Sequence, residues 1–322
     1  MQIIKLLRVL SLLIVSGVTQ AEECTSLSQN DVLPKDNVIV INSSGNYCIA
    51  DDIKLTERSY LNHGWELMYD SPTPIAIHSS NVEINLNRRK LSSQSLHAKG
   101  AQGISVFRVK DILIKGGGVE SKSIKAIGVI HNPPGTLYIS VYNKNNKRTT
   151  CSLYSPYCED ISYLDGPDKL PPQYQDANIT IENMSIFATY RGVQLADNHN
   201  TIRNSTIEVD DNTAIYLMGQ YPVIENNTII IHSNKNGDTE TQKKYNIQIK
   251  DGAIKLRDAK GGIIRNNRII YKGGLFSGKA PVAINLLDSK DVLIEGNTIE
   301  GFENLVRENG DTSYTENNNT KK

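Results

Sequence analysis

A short pattern returns along this chain at almost constant spacing, and no other feature limits its fold so sharply. Ile179, Ile181, Asn183 and Ile186 are matched by Ile202, Asn204 and Ile207, then by Ile224, Asn226, Asn227 and Ile229. Ile264, Asn266, Asn267 and Ile269 follow, and Ile294, Gly296, Asn297 and Ile299 close the clear copies. Looser versions stand earlier, at Ile112, Ile114, Gly116, Gly117 and Val119 and at Val82, Ile84 and Leu86. The step from Ile181 to Ile202 is 21 residues and the next, to Ile224, is 22. The longer steps, 40 residues to Ile264 and 30 more to Ile294, read as the same turn with loops added at 234–251 and 273–280.

Most copies are preceded by a second short strand with apolar residues two apart: Ile104/Val106, Val193/Leu195, Ile215/Leu217, Ile254/Leu256 and Ile284/Leu286. A spacing of two in β-branched segments excludes helix. Strands this short cannot bury a face alone, but stacked in register each covers the one before. Alternation then sends one set of side chains into a shared interior and the other outward. Asn or Gly at a fixed place in each copy marks a corner with left-handed backbone angles, which those residues tolerate. An antiparallel sandwich would not need that recurrence. Asn204, Asn226 and Asn266, stacked at the corner, are expected to form a hydrogen-bonded ladder.

The run Gly-x-x-Ile-x-x-Asn-Asn-x-Ile and the segment Gly45 to Ile49 resemble right-handed parallel β-helix proteins of the pectin-lyase-like superfamily. More narrowly, they look like its carbohydrate-binding and sugar-hydrolase repeat group, which includes nitrous-oxide-accessory periplasmic proteins. The resemblance implies an all-β fold, a single-stranded right-handed parallel β-helix of about seven to eight coils. It covers about 75–308, with a cap at 22–74 and a frayed, Asn- and Thr-rich tail at 309–322. Chemistry does not follow from it, because many activities share this scaffold.

Residues 1–21 read as a secretory signal: Lys5 and Arg8, a mainly apolar stretch from Val9 to Val18, then Thr19, Gln20 and Ala21. That stretch is shorter than the roughly 20 residues needed to span a bilayer, and Glu23 before Cys24 argues against a lipoprotein site. The protein is therefore expected to be secreted or periplasmic, without a membrane span, and is read as a monomer. Four cysteines fit that compartment and allow three pairings; proximity favours Cys24–Cys48 and Cys151–Cys158. With 35 basic and 35 acidic residues, the chain offers no global field to draw nucleic acid.

Stacking converts equal positions in successive coils into neighbours. On the outward face of the first strand this gives Ser105, Gln194, Tyr216, Lys255 and Asn285, with Arg191 just before its strand and Arg257 two beyond Lys255. The resemblance makes this face the substrate groove, and the expected partner is a polysaccharide. Arg191, Gln194, Tyr216 and Asn285 are the candidate binding residues for an acidic sugar chain. Lys255 or Arg257 would be the base of a β-elimination. At the far end of the same strands Asp197, Asp258 and Asp288 align; the last two could act as a hydrolytic carboxylate pair or bind Ca²⁺. Capping of turns is the structural reading of the same aspartates. Beyond Ca²⁺ no cofactor is implied.

Asp210, Asp211, Ala214 and Ile215 look like the Asp-Asp-x-x-Ala-Ile segment of galacturonan-hydrolysing enzymes, but Gly-His-Gly and Asn-Thr-Asp are missing and Val209 replaces the expected Gly. The six histidines show no zinc spacing. Sequons at Asn42, Asn178, Asn183, Asn204, Asn226 and Asn318 arise from the repeat's own Asn and Thr usage, and some of these Asn are expected to point inward. The insertion 131–176, with His131, one cysteine pair and several tyrosines, is a candidate glycan-binding loop. The function expected is binding or processing of extracellular polysaccharide, as a lyase or hydrolase of acidic glycan. The alternative is a non-catalytic binding, adhesion or maturation protein, and a purely structural role is a third.

Overall fold

A computed structural model of the chain describes residues 23–62, 66–69, 71–97, 100–123, 126–132, 138–142, 148–152, 174–210, 213–232, 252–272 and 282–322. The signal segment 1–21, Cys158 with its pairing to Cys151, Asp211 and most of the insertion 131–176 lie outside them. No helix among the described residues is long and apolar enough to cross a membrane.

The repeat builds a coil of stacked parallel strands. One sheet holds nine of them: Ile39–Ile41, Ile75–Ile77, Gln102–Phe107, Ile127–Asn132, Arg191–Leu195, Ile215–Met218, Ile254–Arg257, Val282–Leu287 and Asn304–Asn309. Each pairs in parallel with the next. Seventeen further strands form a sheet that supplies the remaining sides of each turn, and two antiparallel pairs, Ser59–Asn62 with Glu66–Tyr69 and Tyr138–Tyr142 with Arg148–Ser152, stand apart from both. A typical coil runs Arg191–Leu195, a corner, Thr201–Arg203, a second corner, Thr206–Val209, and on to Ile215–Met218. Inward alternation places Ile202, Ile207, Val209, Ile215 and Leu217 in one continuous core at 1% exposure or less. Each such side chain contributes about 1.5–3 kcal/mol by leaving water, and that sum holds together strands too short to stand alone.

Nine strands stack in the first sheet, eight steps from strand to strand, in keeping with seven to eight coils. Several boundaries differ from expectation. The coil begins at Ile39 rather than 75, because Ile39–Ile41 pairs with Ile75–Ile77 and Ile53–Thr56 with Lys90–Gln94. The cap is reduced to Thr25–Leu27 and the turn after it, tied by the Cys24–Cys48 disulfide to the strand it pairs with. The segment expected to fray instead forms a last partial coil: Tyr314–Asn317 pairs with Val292–Glu295 and Thr320–Lys321 with Thr298–Glu300. Backbone pairing suffices there where apolar content is low.

The asparagine ladder exists, one residue away from where it was expected. Asn204, Asn226 and Asn266 are exposed and take the left-handed angles themselves, with φ of 51°, 56° and 54°. The ladder runs through the next position, Asn227, Asn267, Asn297 and Asn319. Asn267 Oδ1 accepts from the backbone N–H of Asn227 at 3.0 Å and from its side chain at 3.1 Å, while Asn267 Nδ2 donates to Ile224 O at 2.9 Å. Reversal of the chain at the first Asn turns the second inward, where it satisfies backbone groups that the corner leaves without strand partners. All six sequon asparagines are consequently exposed, contrary to the expectation that some face inward.

His131 also differs. It lies within the strand Ile127–Asn132, in register with Val106, and is 1% exposed rather than part of a loop. Burial lowers its pKa to about 4, opposed by backbone hydrogen bonds to Ala196 and Val109.

Candidate functional site

The outward column of the nine-stranded sheet reads Ala76, Ser105, Ile130, Gln194, Tyr216, Lys255, Asn285 and Arg307 in register. Sequence stacking missed the rung at Ile130, so Ser105 is not beside Gln194. It also stopped one rung before Arg307, although Val306 continues the alternation of Ile284 and Leu286. Arg191 opens its strand rather than preceding it.

The expected open groove is absent: Gln194, Tyr216, Lys255 and Asn285 are 1%, 2%, 6% and 4% exposed, and Arg191 is fully buried. The face is a covered cluster of cations and rings. The Arg191 guanidinium lies 4.8 Å from the Tyr216 ring centre and 5.1 Å from that of Tyr190, and Lys255 Nζ is 5.0 Å from Tyr216. Cations placed over desolvated rings gain more than they would in water. Arg191 Nη1 also donates to Gln194 Oε1 at 2.7 Å. Asn285 accepts from Asn309 Nδ2 at 2.6 Å.

Beside this cluster stands the Asp258 carboxylate. Tyr174, which packs on Tyr216 and Met218, donates its hydroxyl to Asp258 Oδ2 at 2.7 Å. Arg257 Nε lies 3.5 Å from the same oxygen. Burial, then the neighbouring carboxylate that accepts its proton, push the Tyr174 phenol far above its ordinary range. Burial works against the Arg257 charge, yet Tyr216, Asp258 and Tyr174 outweigh it and the proton is held more tightly than usual. Tyr174 was one tyrosine among several in the insertion, and no local signal links it to a partner 84 residues away.

Asp197, Asp258 and Asp288 occupy the left-handed corner that ends these strands, with φ of 74°, 54° and 49°. Gly219 and Gly310 stand at the same corner with φ of 112° and 69°, which explains why Asp alternates with Gly. Asp258 and Asp288 fall on adjacent rungs, but their carboxylates are differently engaged. Asp258 takes Tyr174, whereas Asp288 Oδ1 accepts from the Asp311 N–H at 3.2 Å. Among the described residues no three His, Cys, Asp or Glu side chains gather as a metal site. The Asp column therefore does not fit the Ca²⁺ that it suggested.

Asp197 is the perturbed acid. Burial raises its pKa to about 6, partly offset by the Gln175 N–H, which donates to Oδ1 at 3.3 Å. A carboxyl raised from about 4 holds its proton more tightly folded than unfolded. Its contribution to stability is then full below about pH 4 and is lost as pH rises to about 6. Asn keeps the left-handed angle and the acceptor. Asp197→Asn is expected to gain stability relative to wild type over that interval and to stay ahead at higher pH. Denaturant melts at pH 4, 5, 6 and 7 check it; a difference independent of pH would show that Asp197 is not perturbed. The comparison with wild type cancels the opposite dependence of His131, whose depressed pKa removes stability as pH falls through about 4.

Asp210 belongs elsewhere. It follows the strand Thr206–Val209 and precedes Ile215, so it lies at the start of the nine-stranded sheet's strands, while Asp258 and Asp288 lie at their ends. Its neighbours are His232, ion-paired with Glu208, and Lys122. The galacturonan-hydrolase likeness and the cation cluster thus do not converge.

Parallel registers repeated over nine rungs, with corners set by left-handed Asn, Asp and Gly, admit one architecture, and residues 173–321 match the family model described as right handed beta helix region. The chain is a right-handed parallel β-helix protein. That architecture is the one implied by its resemblance to the pectin-lyase-like proteins. Comparison with curated proteins found no match. Among solved structures, the β-helix aligns with a crystal structure of GH136 lacto-N-biosidase from Eubacterium ramulus, a selenomethionine derivative, at 9% identity and a TM-score of 0.43. The alignment covers 91% of this chain and 61% of that one, so this β-helix spans less than two thirds of that enzyme. The likeness is too loose to carry residues or activity across.

Proposed function

We propose that this β-helix protein engages an acidic polysaccharide, outside the cytoplasm, through the outward face of the nine-stranded sheet. The observation that carries the proposal is the convergence of Arg191 from one strand and Lys255 and Arg257 from another around Tyr216 on the strand between them. Guanidinium forks match carboxylates, and an aromatic face accepts the apolar side of a sugar ring. The Cys24–Cys48 disulfide supports an oxidising compartment. Because the face is covered, a glycan reaching it displaces side chains, Tyr174 first among the described residues.

As a lyase, Arg191 and Arg257 would neutralise the uronate carboxylate and so acidify the adjacent C–H. Lys255, as its neutral amine, would take that proton while the C–O bond on the neighbouring carbon breaks, and would return it to the leaving oxygen, giving an unsaturated sugar and a free hydroxyl. As a hydrolase, Asp258 and Asp288 would be the carboxylate pair, with Asp197 as an acid that keeps its proton to about pH 6. The dense cation cluster favours the first. The second reading is a non-catalytic binding platform, favoured by the structural bonds that already occupy Asp258 and Asp288.

The test incubates the mature chain with uronic-acid and neutral polysaccharides, reading unsaturated-uronide absorbance, new reducing ends and binding. Unsaturated product supports the lyase, reducing ends alone the hydrolase, and binding without product the platform. No binding to any acidic polymer would overturn the proposal.

A further inference from the structure

The seventeen-stranded sheet carries a separate feature. Leu86, Asn87, Arg88 and Arg89 form a tight turn closed by Arg89 N–H donating to Leu86 O at 2.7 Å, with both central residues left-handed, φ 48° and 63°. Such turns favour Asn followed by Gly, and an arginine at the second position carries a steric cost that a glycine would avoid. The turn presses onto the next coil, where a Cβ at Gly117 would lie 2.3 Å from Leu86 Cβ and 2.6 Å from Arg89 O. Beyond the turn the glycines leave the sheet without bulk. Gly118, Ser185 and Thr206 follow one another in register and form the floor of an open depression of about 830 Å³.

Several cations on this sheet are paired across rungs, Lys115 with Glu83, Arg203 with Glu182 and Arg265 with Glu225. Lys90 and Lys122 share Glu120. Arg88 and Arg89 are exposed and have no side-chain ion pair or hydrogen bond among the described residues. Arg88 and Arg89 thus line one depression with Ser185 and Thr206, the Lys90–Glu120 ion pair, the exposed Asn183 and Asn204 and the half-buried Phe187. The volume lies in the usual range for ligand sites, ~300–1,000 Å³.

We infer that this depression is a second saccharide site, taking a short oligosaccharide with carboxylate or sulfate groups, its anions on Arg88 and Arg89 and its hydroxyls on Ser185 and Thr206. It is independent of the cation cluster on the nine-stranded sheet. Carboxylate and sulfate both fit a guanidinium fork, so the source of the anion is left to the measurement.

Calorimetric titration of the full mature chain with uronate, sulfated and neutral tetrasaccharides tests it. An anionic tetrasaccharide is expected to bind and the neutral one not. Arg88→Gly with Arg89→Ser should weaken binding at least about tenfold at unchanged melting temperature, since Gly suits the left-handed position. Gly118→Glu is the second variant: its nearest new contact is 3.6 Å from the added Cβ, so it folds, and its carboxylate repels the ligand. With Lys255→Met as the background, which disables the nine-stranded face, the remaining anionic binding should still be lost on adding the depression substitutions, which separates the two sites. Wild-type affinity in both depression variants, equal binding of the neutral sugar, or no binding at millimolar concentration would overturn the inference.

Discussion

Alanine at Asn267 is expected to lower the unfolding free energy by about 3–5 kcal/mol, a large share of the total stability of an ordinary domain. Asn267 is 2% exposed and is the middle of the inward ladder. Its Oδ1 serves the Asn227 backbone N–H and side chain, and its Nδ2 serves Ile224 O and Asn297 Oδ1. Truncation leaves these buried groups without partners, at about 1–3 kcal/mol each before relaxation, and adds a cavity. The adjacent Asn266→Gly is the control. Asn266 is exposed at φ 54°, an angle glycine takes freely, so its effect should stay within about 0.5 kcal/mol. Urea melts of the two variants read the contrast. Equal losses would mean that the corner angle, not the ladder, holds the coils in register.

Lys255→Met is expected to weaken acidic-polysaccharide binding by about 10–100-fold, the value of roughly 1.5–3 kcal/mol for a hydrogen bond to a charged group. Methionine retains the stem that packs beside Tyr216, so most of the change falls on the charge. If the protein is a lyase, turnover should fall further than affinity, because the same side chain, as its neutral amine, would take the proton. Arg257→Gln should behave differently. Arg257 also neighbours Asp258, so its loss disturbs the Tyr174–Asp258 contact as well as any sugar. Saturation binding and initial rates on one uronic-acid polymer separate the two effects. Undiminished binding by Lys255→Met would remove the nine-stranded sheet from consideration as the glycan face.

The two candidate surfaces differ in how far they could be read from residues alone. Gln194, Tyr216, Lys255 and Asn285 were placed in one column by counting from the repeat, and the register bears that out. The same counting failed between Ser105 and Gln194, where the insertion separates the Ile130 rung from its own repeat copy at Ile179–Ala188, with Asn183 at the corner. The Arg88–Arg89 depression was not anticipated at all. Its signals were a left-handed arginine and a run of three glycines, and neither says which neighbouring coil it faces.

By itself the sequence determined the parallel coil, its inward residues and the left-handed corners. Those follow from spacing two along strands, spacing near 22 between them, and the steric tolerance of Asn, Asp and Gly, all properties local to the repeat. Tertiary structure alone decided the rest. Which of two consecutive asparagines faces inward depends on the sign of φ at the first, and only the folded corner sets it. Whether the outward face of the nine-stranded sheet is a groove or a covered cluster depends on chain far away. Tyr174 reaches Asp258 across 84 residues, and burial of Arg191, Tyr216 and Lys255 is a property of the packed molecule. Periodicity governs which side of a strand a residue occupies, but what lies against that side is a long-range contact that periodicity does not encode.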